Sequence, residues 1–297
     1  KALAWLAEHR EENTFTYLHF LDPHSPYAPP PAYVDRFGGE RPAQPLALYE
    51  DVRTQVPTLL AEGFGPGESR FEDLVRRYDQ EIAFIDDTLR NFFGGLGRLK
   101  IREDTLAVIT SDHGEEFLEH GFVEHAWSLY PEVHRAPLLF WQPGRVPALH
   151  TKRNASLVDL MPTLLQLQEV PDVIEGDGES LYVGGKEGEW VVSAASGPRV
   201  MELLIQSRCI VRGVITEDSL YLAYWKWLAP EASAAASAVL RPTRAALLRG
   251  EQASVDTRGP IVREEYYDLT VDPGALHDVS ADDPEAVARW RSYLTDY

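Results

Sequence analysis

The sequence is short of three things, and each shortage removes a class of protein. Cysteine occurs once, at Cys209, among 297 residues. No disulfide can therefore form within the chain, and no thiolate zinc cluster can be built. Cys209 lies in the apolar stretch QSRCIVRGV, where a packed thiol is expected and nothing nearby would activate it as a nucleophile. Long apolar runs are missing as well, so no segment is suited to cross a bilayer. Positive charge is the third shortage. Lys and Arg total 28 against 47 Asp and Glu, a formal net charge of -19, which argues against the basic surface a nucleic acid requires. The first residues, KALAWLAEH, are amphipathic at once and read as continuing an earlier segment, so any targeting signal would lie upstream.

The rest of the composition is that of an ordinary globular chain, 44% hydrophobic and 25% charged. Residues 1–9 read as a short helix and TFTYLHFLD as a buried strand ended by Asp22-Pro23. The prolines of DPHSPYAPPPAY rule out regular structure there. From Phe71, apolar residues recur at helical spacing through Leu74, Val75, Tyr78, Ile82, Ile85, Leu89 and Phe92, and Gly94-Gly95 is the expected stop. DTLAVITSD and APLLFWQPG read as strands. NASLVDLMPTLLQLQEV reads as a helix that Pro162 either kinks or restarts. Alternating strands and helices predict an α/β sandwich with a mainly parallel central sheet. From about residue 190 the pattern becomes antiparallel strands, an alanine-rich excursion and a terminal helix begun by Asp283-Pro284. The expected division is therefore residues 1–189 and a smaller α+β subdomain over 190–297.

Chemistry-bearing residues concentrate after one strand, in TSDHGEEFLEHGFVEHA. Asp112 and His113 leave the strand end together, and a carboxylate beside an imidazole suits a divalent cation. Glu119, His120, Glu124 and His125 follow in a segment that Gly114 and Gly121 allow to fold back. His24, held between Pro23 and Pro26, suits an anion contact or proton transfer. A parallel sheet would bring His24 and the Asp112-His113 pair to the same edge. His19 is expected to be packed within its strand, and His134, His150 and His277 to lie on the surface. Trp127, Trp141, Trp225 and Trp227 fit packing better than sugar stacking.

Four stretches in this order, YLHFLDPHSPYAPPPAYVDRF, YDQEIAFIDDTLRNFF, TLAVITSDHGEEFLEHGFVEHAWSLYPEVHRAPLLFWQPG and SLVDLMPTLLQL, together with the closing EEYYDLTVDPGALHDVSADDPE, resemble the sulfatase family of the alkaline phosphatase superfamily. The resemblance implies an alkaline-phosphatase-like sandwich with a small C-terminal subdomain. It implies a metal, calcium in the family, on Asp112 and His113, and sulfate contacts from His24 and His125. His120 matches no family role. The implied substrate is a small-molecule or carbohydrate sulfate ester. Positive groups would offset the anionic oxygens of the ester and protonate the departing alkoxide.

Two family elements are absent from the sequence. There is no Cys/Ser-x-Pro-x-Arg nucleophile, the residue oxidised to formylglycine in sulfatases, and no paired aspartates precede the Pro-His-x-Pro loop. The expectation is thus the C-terminal portion of a sulfatase-type hydrolase, inactive by itself, with formylglycine belonging to an upstream segment. Two alternatives stay open: a phosphodiesterase or phosphotransferase of the same superfamily, and a non-catalytic anion-binding homologue.

Overall fold

A computed structural model describes residues 1–39, 42, 46, 52–125, 128–151, 154–171, 178–184, 190–192, 199–205, 209–227 and 258–296. The chain divides into two compact units. The first comprises Lys1–His125, Ala136–His150 and Gly185–Trp190; the second comprises Ala126–Arg135, Thr151–Gly184 and Val191–Tyr297.

In the first unit, helix α1 (Ala2–Glu8) precedes α2 (Val52–Ala61) and the long α3 (Ser69–Leu99). Glu68 caps α3 by accepting the backbone N–H groups of Arg70 and Phe71. The helix runs through Gly94-Gly95, contrary to the expected stop, and ends at Lys100 in the left-handed conformation. Packing explains Gly95 better than termination does. A Cβ at Gly95 would come within 2.4 Å of the Leu3 side chain of α1, so the absence of a side chain there lets the two helices approach. Tyr27, Leu59, Phe64, Phe71, Leu74 and Val123 form the core of this unit.

Strands β1 (Ala107–Thr110) and β4 (Leu138–Trp141) pair antiparallel, Ala107 opposite Trp141. Between them in sequence, β2 (Glu116–Phe117) and β3 (Val123–Glu124) form a two-stranded hairpin. The β1–β4 and β2–β3 pairs are both antiparallel. Residues 13–21 correct the strand expected over TFTYLHFLD. They carry no strand, and Phe15, Tyr17 and Leu21 are 81%, 74% and 73% exposed. An apolar extended segment becomes a strand only when a neighbour satisfies its N–H and C=O groups, and no described strand does so. His19, expected to be packed, is exposed and meets the Tyr17 hydroxyl at 3.1 Å.

The second unit contains α4 (Pro131–His134), a 3₁₀ turn (Leu157–Asp159), α5 (Leu160–Leu167), the short strand β5 (Tyr182–Gly184), and β6 (Trp190–Val192), which begins at the boundary residue Trp190. Pro162 lies in the first turn of α5, where its missing N–H has no partner to lose. Strands β7 (Arg199–Ile205), β8 (Cys209–Ile215), β9 (Ser219–Trp227) and β10 (Arg258–Asp268) form an antiparallel sheet in the order β10-β9-β8-β7, as the sequence pattern predicts. Both faces are covered. Val211, Ile215, Leu220 and Leu222 pack with Leu129, Tyr130 and Tyr267, while Val214, Tyr221 and Ala223 pack with Val287 and Leu294. The last two belong to α6 (Pro284–Asp296), which Asp283 caps by accepting the Ala286 N–H at 2.9 Å. Cys209 opens β8; its side chain and the alanine-rich stretch after residue 228 lie outside what is described.

Within the sheet, the fully buried Glu265 carboxylate accepts hydroxyls from Tyr130, Tyr224 and Tyr267 at 2.8, 3.2 and 2.9 Å and pairs with Arg263. Polar satisfaction on this scale lets an acid sit in a core.

His134, expected on the surface, is half-buried, and its Nε2 is shielded without a hydrogen-bond partner among the described residues. Burial, followed by the Arg135 charge, pushes its imidazole from 6.5 down to about 4, with Glu132 opposing. The folded value lies below the unfolded one, so the unfolded chain takes up the proton first as pH falls. The stability due to neutral His134 is complete above about pH 6.5 and is lost as pH drops toward 4. Replacing His134 with glutamine should flatten the fall in thermal midpoint across that window, removing roughly 2 kcal/mol of pH-dependent destabilisation. Parallel pH profiles of wild type and variant by calorimetry check this.

Candidate active site

Three sequence elements of the first unit meet in one place. The loop over residues 22–28 carries His24, the end of β1 delivers Asp112 and His113, and the β2–β3 hairpin returns the chain to His125. The hairpin folds back at Gly121, whose φ of 86° suits glycine, and the Leu118 N–H closes on the Phe122 carbonyl at 2.7 Å. Glu124 also adopts a positive φ, 67°, next to the site and buried at 1% exposure. That conformation is costly for a residue with a side chain, and surrounding structure must enforce it.

The His24 and His125 rings meet edge to face with centroids 5.2 Å apart, and His125 and His113 lie 4.0 Å apart at a tilt of 34°. Each ring is oriented through Nδ1. His24 Nδ1–H donates to the Ser25 carbonyl at 2.6 Å, and His113 Nδ1–H donates to the Gly114 carbonyl at 2.8 Å. Because a carbonyl oxygen only accepts, the proton of each neutral ring sits on Nδ1, and Nε2 keeps a lone pair. His125 Nδ1 meets the Glu115 carboxylate at 2.9 Å. The other Glu115 oxygen accepts the Tyr27 hydroxyl at 2.7 Å. Both Glu115 and Tyr27 are buried, and burial followed by the Glu115 charge pushes the Tyr27 phenol above its ordinary value. Tyr27 therefore stays a neutral donor, and Glu115 ties the His24 loop to His125.

Asp112 and His113 present a carboxylate and an imidazole whose Oδ1 and Nε2 are 3.8 Å apart, a span that two donors on one cation can take. With Nε2 of His113 unprotonated, the pair fits a divalent cation in kind. In number it supplies only part of a coordination sphere, since among the described residues no three His, Cys, Asp or Glu side chains are grouped to hold an ion. Glu119 is turned to another task and accepts the Phe117 N–H at 2.5 Å. His150 and His277 are exposed, as expected.

A family profile described as Sulfatase matches residues 1–170. The chain belongs to the sulfatase family. Arylsulfatase K of Rattus norvegicus is 28% identical over 201 residues, which are 61% of this chain and 35% of that protein. Choline-sulfatase of Rhizobium meliloti is 28% identical over 194 residues, 57% of this chain and 35% of that protein. The chain thus spans about a third of the length of these relatives. Among solved structures, a sulfatase-family protein of Bacteroides fragilis superposes with a TM-score of 0.64 at 17% identity, covering 99% of this chain and 55% of that one. At that identity the likeness establishes the alkaline-phosphatase-like sulfatase fold. Phosphonate monoester hydrolase of Agrobacterium radiobacter has the same fold, with a TM-score of 0.60 at 19% identity, covering 99% of this chain and 58% of that one.

Glu115 and Tyr27 are the contacts to the candidate site that sequence reasoning misses. Tyr27 stands in the same Pro-rich loop as His24, and Glu115 two residues after His113, but nothing in their spacing announces a shared contact. Trp141, read as a packing residue, packs against Phe93 with centroids 4.7 Å apart.

Proposed function

We propose that this chain carries the anion-binding and part of the cation-binding side of a sulfuric ester hydrolase. The convergence of His24, His113 and His125 on one point carries the reading. In its imidazolium form, with Nδ1–H still on the Ser25 carbonyl, His24 donates from Nε2 to the sulfuryl oxygens, His125 donates to them from Nε2, and His125 holds the proton that the departing alkoxide takes. Glu115 fixes the His125 ring and stabilises its imidazolium form. Asp112 and His113 hold a divalent cation, for which family membership points to calcium. Bound there, the cation would offset negative charge on the sulfuryl group. In this reading residues 1–189 belong to the catalytic α/β domain and 190–297 to its subdomain, and the formylglycine nucleophile comes from outside these 297 residues, so the chain alone does not turn over.

A sulfate ester of a small molecule or carbohydrate is the proposed substrate class. Phosphonate or phosphate ester hydrolysis is the second reading, favoured by the likeness to phosphonate monoester hydrolase. The two are separated by assaying the full-length protein on 4-nitrophenyl sulfate, bis(4-nitrophenyl) phosphate and a phenylphosphonate monoester. Preference for the sulfate, lost with EDTA and restored by a divalent cation, is expected. Preference for either phosphorus ester would overturn the sulfatase assignment, and no turnover on any of them would favour a binding homologue.

A further inference from the structure

We infer that Glu81 is a positioning residue for His24, acting by gripping the loop over residues 22–28 at Ala28. Glu81 lies within α3, three residues after Tyr78 and seven after Leu74, which places an acid along the apolar side of the helix. It is 2% exposed. One carboxyl oxygen accepts the Ala28 N–H at 2.5 Å, and the other is buried without a hydrogen-bond partner among the described residues. Asp22, at the opposite end of the same loop, is close enough for its charge to act on Glu81. The acid thus holds the Ala28 end of the segment that presents His24.

A core has no stability reason to keep such a group. Burial pushes its carboxyl from 4.5 up to about 7, with the Asp22 charge acting in the same direction and the Ala28 N–H opposing. Replacement of a buried, partly satisfied acid by an apolar side chain of similar size is often neutral or stabilising. The acid earns its place through the bond to Ala28, since the proline-rich loop has little other backbone hydrogen bonding. The His24 N–H donates to the Leu21 carbonyl at 2.8 Å, and Glu81 supplies the hold at the far end.

This inference rests on the reading of His24 as an anion contact, and the test separates the two. The complete chain is labelled at histidine, and the His24 imidazole signals are followed in wild type, Glu81→Gln and Glu81→Leu while sodium sulfate is added. Glutamine keeps an oxygen acceptor for the Ala28 N–H and leucine does not. The expected result is wild-type-like sulfate affinity in Glu81→Gln and affinity about tenfold weaker in Glu81→Leu, the scale of one lost net hydrogen bond, with the Glu81→Leu melting temperature unchanged or higher. Equal sulfate affinity in all three proteins would overturn the positioning role. If sulfate moves the His24 signals in none of them, the anion-contact reading fails. The grip is then judged by displaced His24 signals in Glu81→Leu but not in Glu81→Gln, and undisplaced signals would overturn it. Should Glu81→Leu not fold, amide exchange in wild type decides: a protected Ala28 N–H supports the grip, and exchange at the unprotected rate overturns it.

Discussion

Replacing His24 with alanine should lower kcat/KM of the full-length protein for a sulfate ester by about 10²- to 10³-fold, the range seen when one positioned donor to developing charge is removed. His24 is exposed and holds its own Nδ1 through the local Ser25 carbonyl. Its removal therefore leaves the core intact, and the melting temperature should not move. Asp112→Ala should fall at least as far, because the 81% exposed Asp112 side chain contributes little to packing and its proposed task is the cation. Raising the cation concentration should partly restore Asp112→Ala and leave His24→Ala unchanged. Steady-state kinetics with a cation titration check both variants. Near-wild-type turnover in His24→Ala would remove the anion role.

The second large effect is expected at Glu115. Glu115→Gln keeps the shape and can still accept the Tyr27 hydroxyl, but it removes the charge beside His125 Nδ1. A histidine whose carboxylate partner becomes an amide loses both its fixed tautomer and support for its imidazolium form, and a loss of about 10²-fold or more in kcat is expected. Tyr27→Phe deletes only the hydroxyl that holds Glu115, so its effect should be smaller, roughly 3- to 10-fold, the scale of one hydrogen bond. The order Glu115→Gln worse than Tyr27→Phe is the signature of Glu115 acting on His125. Equal losses in the two variants would instead point to general loosening of the loop. Their kcat and KM values, measured beside melting temperatures, distinguish the outcomes.

The sequence carries the local half of this picture. Asp112 and His113 at a strand end, His24 between prolines and His125 beyond the hairpin are visible because each stands in a stretch of unusual composition. Their convergence is a tertiary fact, and so are the partners that aim them. Glu115 and Glu116 are adjacent and look alike in sequence. Only the hairpin decides that Glu115 reaches Tyr27 and His125, while Glu116 pairs across strands with Glu124. Glu81 left a readable trace, an acid along the apolar side of a helix, while Ile82 beside it is 44% exposed. The apolar run of residues 15–21 shows the opposite failure: hydrophobicity is local information, but a strand also needs a neighbour, which the run itself does not specify. Gly94-Gly95 fails similarly, because a glycine that ends a helix and one that admits another helix are written with the same letter.

Crystals of the protein soaked with sodium sulfate and manganese chloride, with anomalous scattering used to find the metal, test the site most directly. The expected result is one sulfate within hydrogen-bonding distance of Nε2 of both His24 and His125, and one metal peak held by the Asp112 carboxylate and His113 Nε2. Sulfate and metal bound elsewhere, with the three imidazoles contacting neither, would contradict the proposed site.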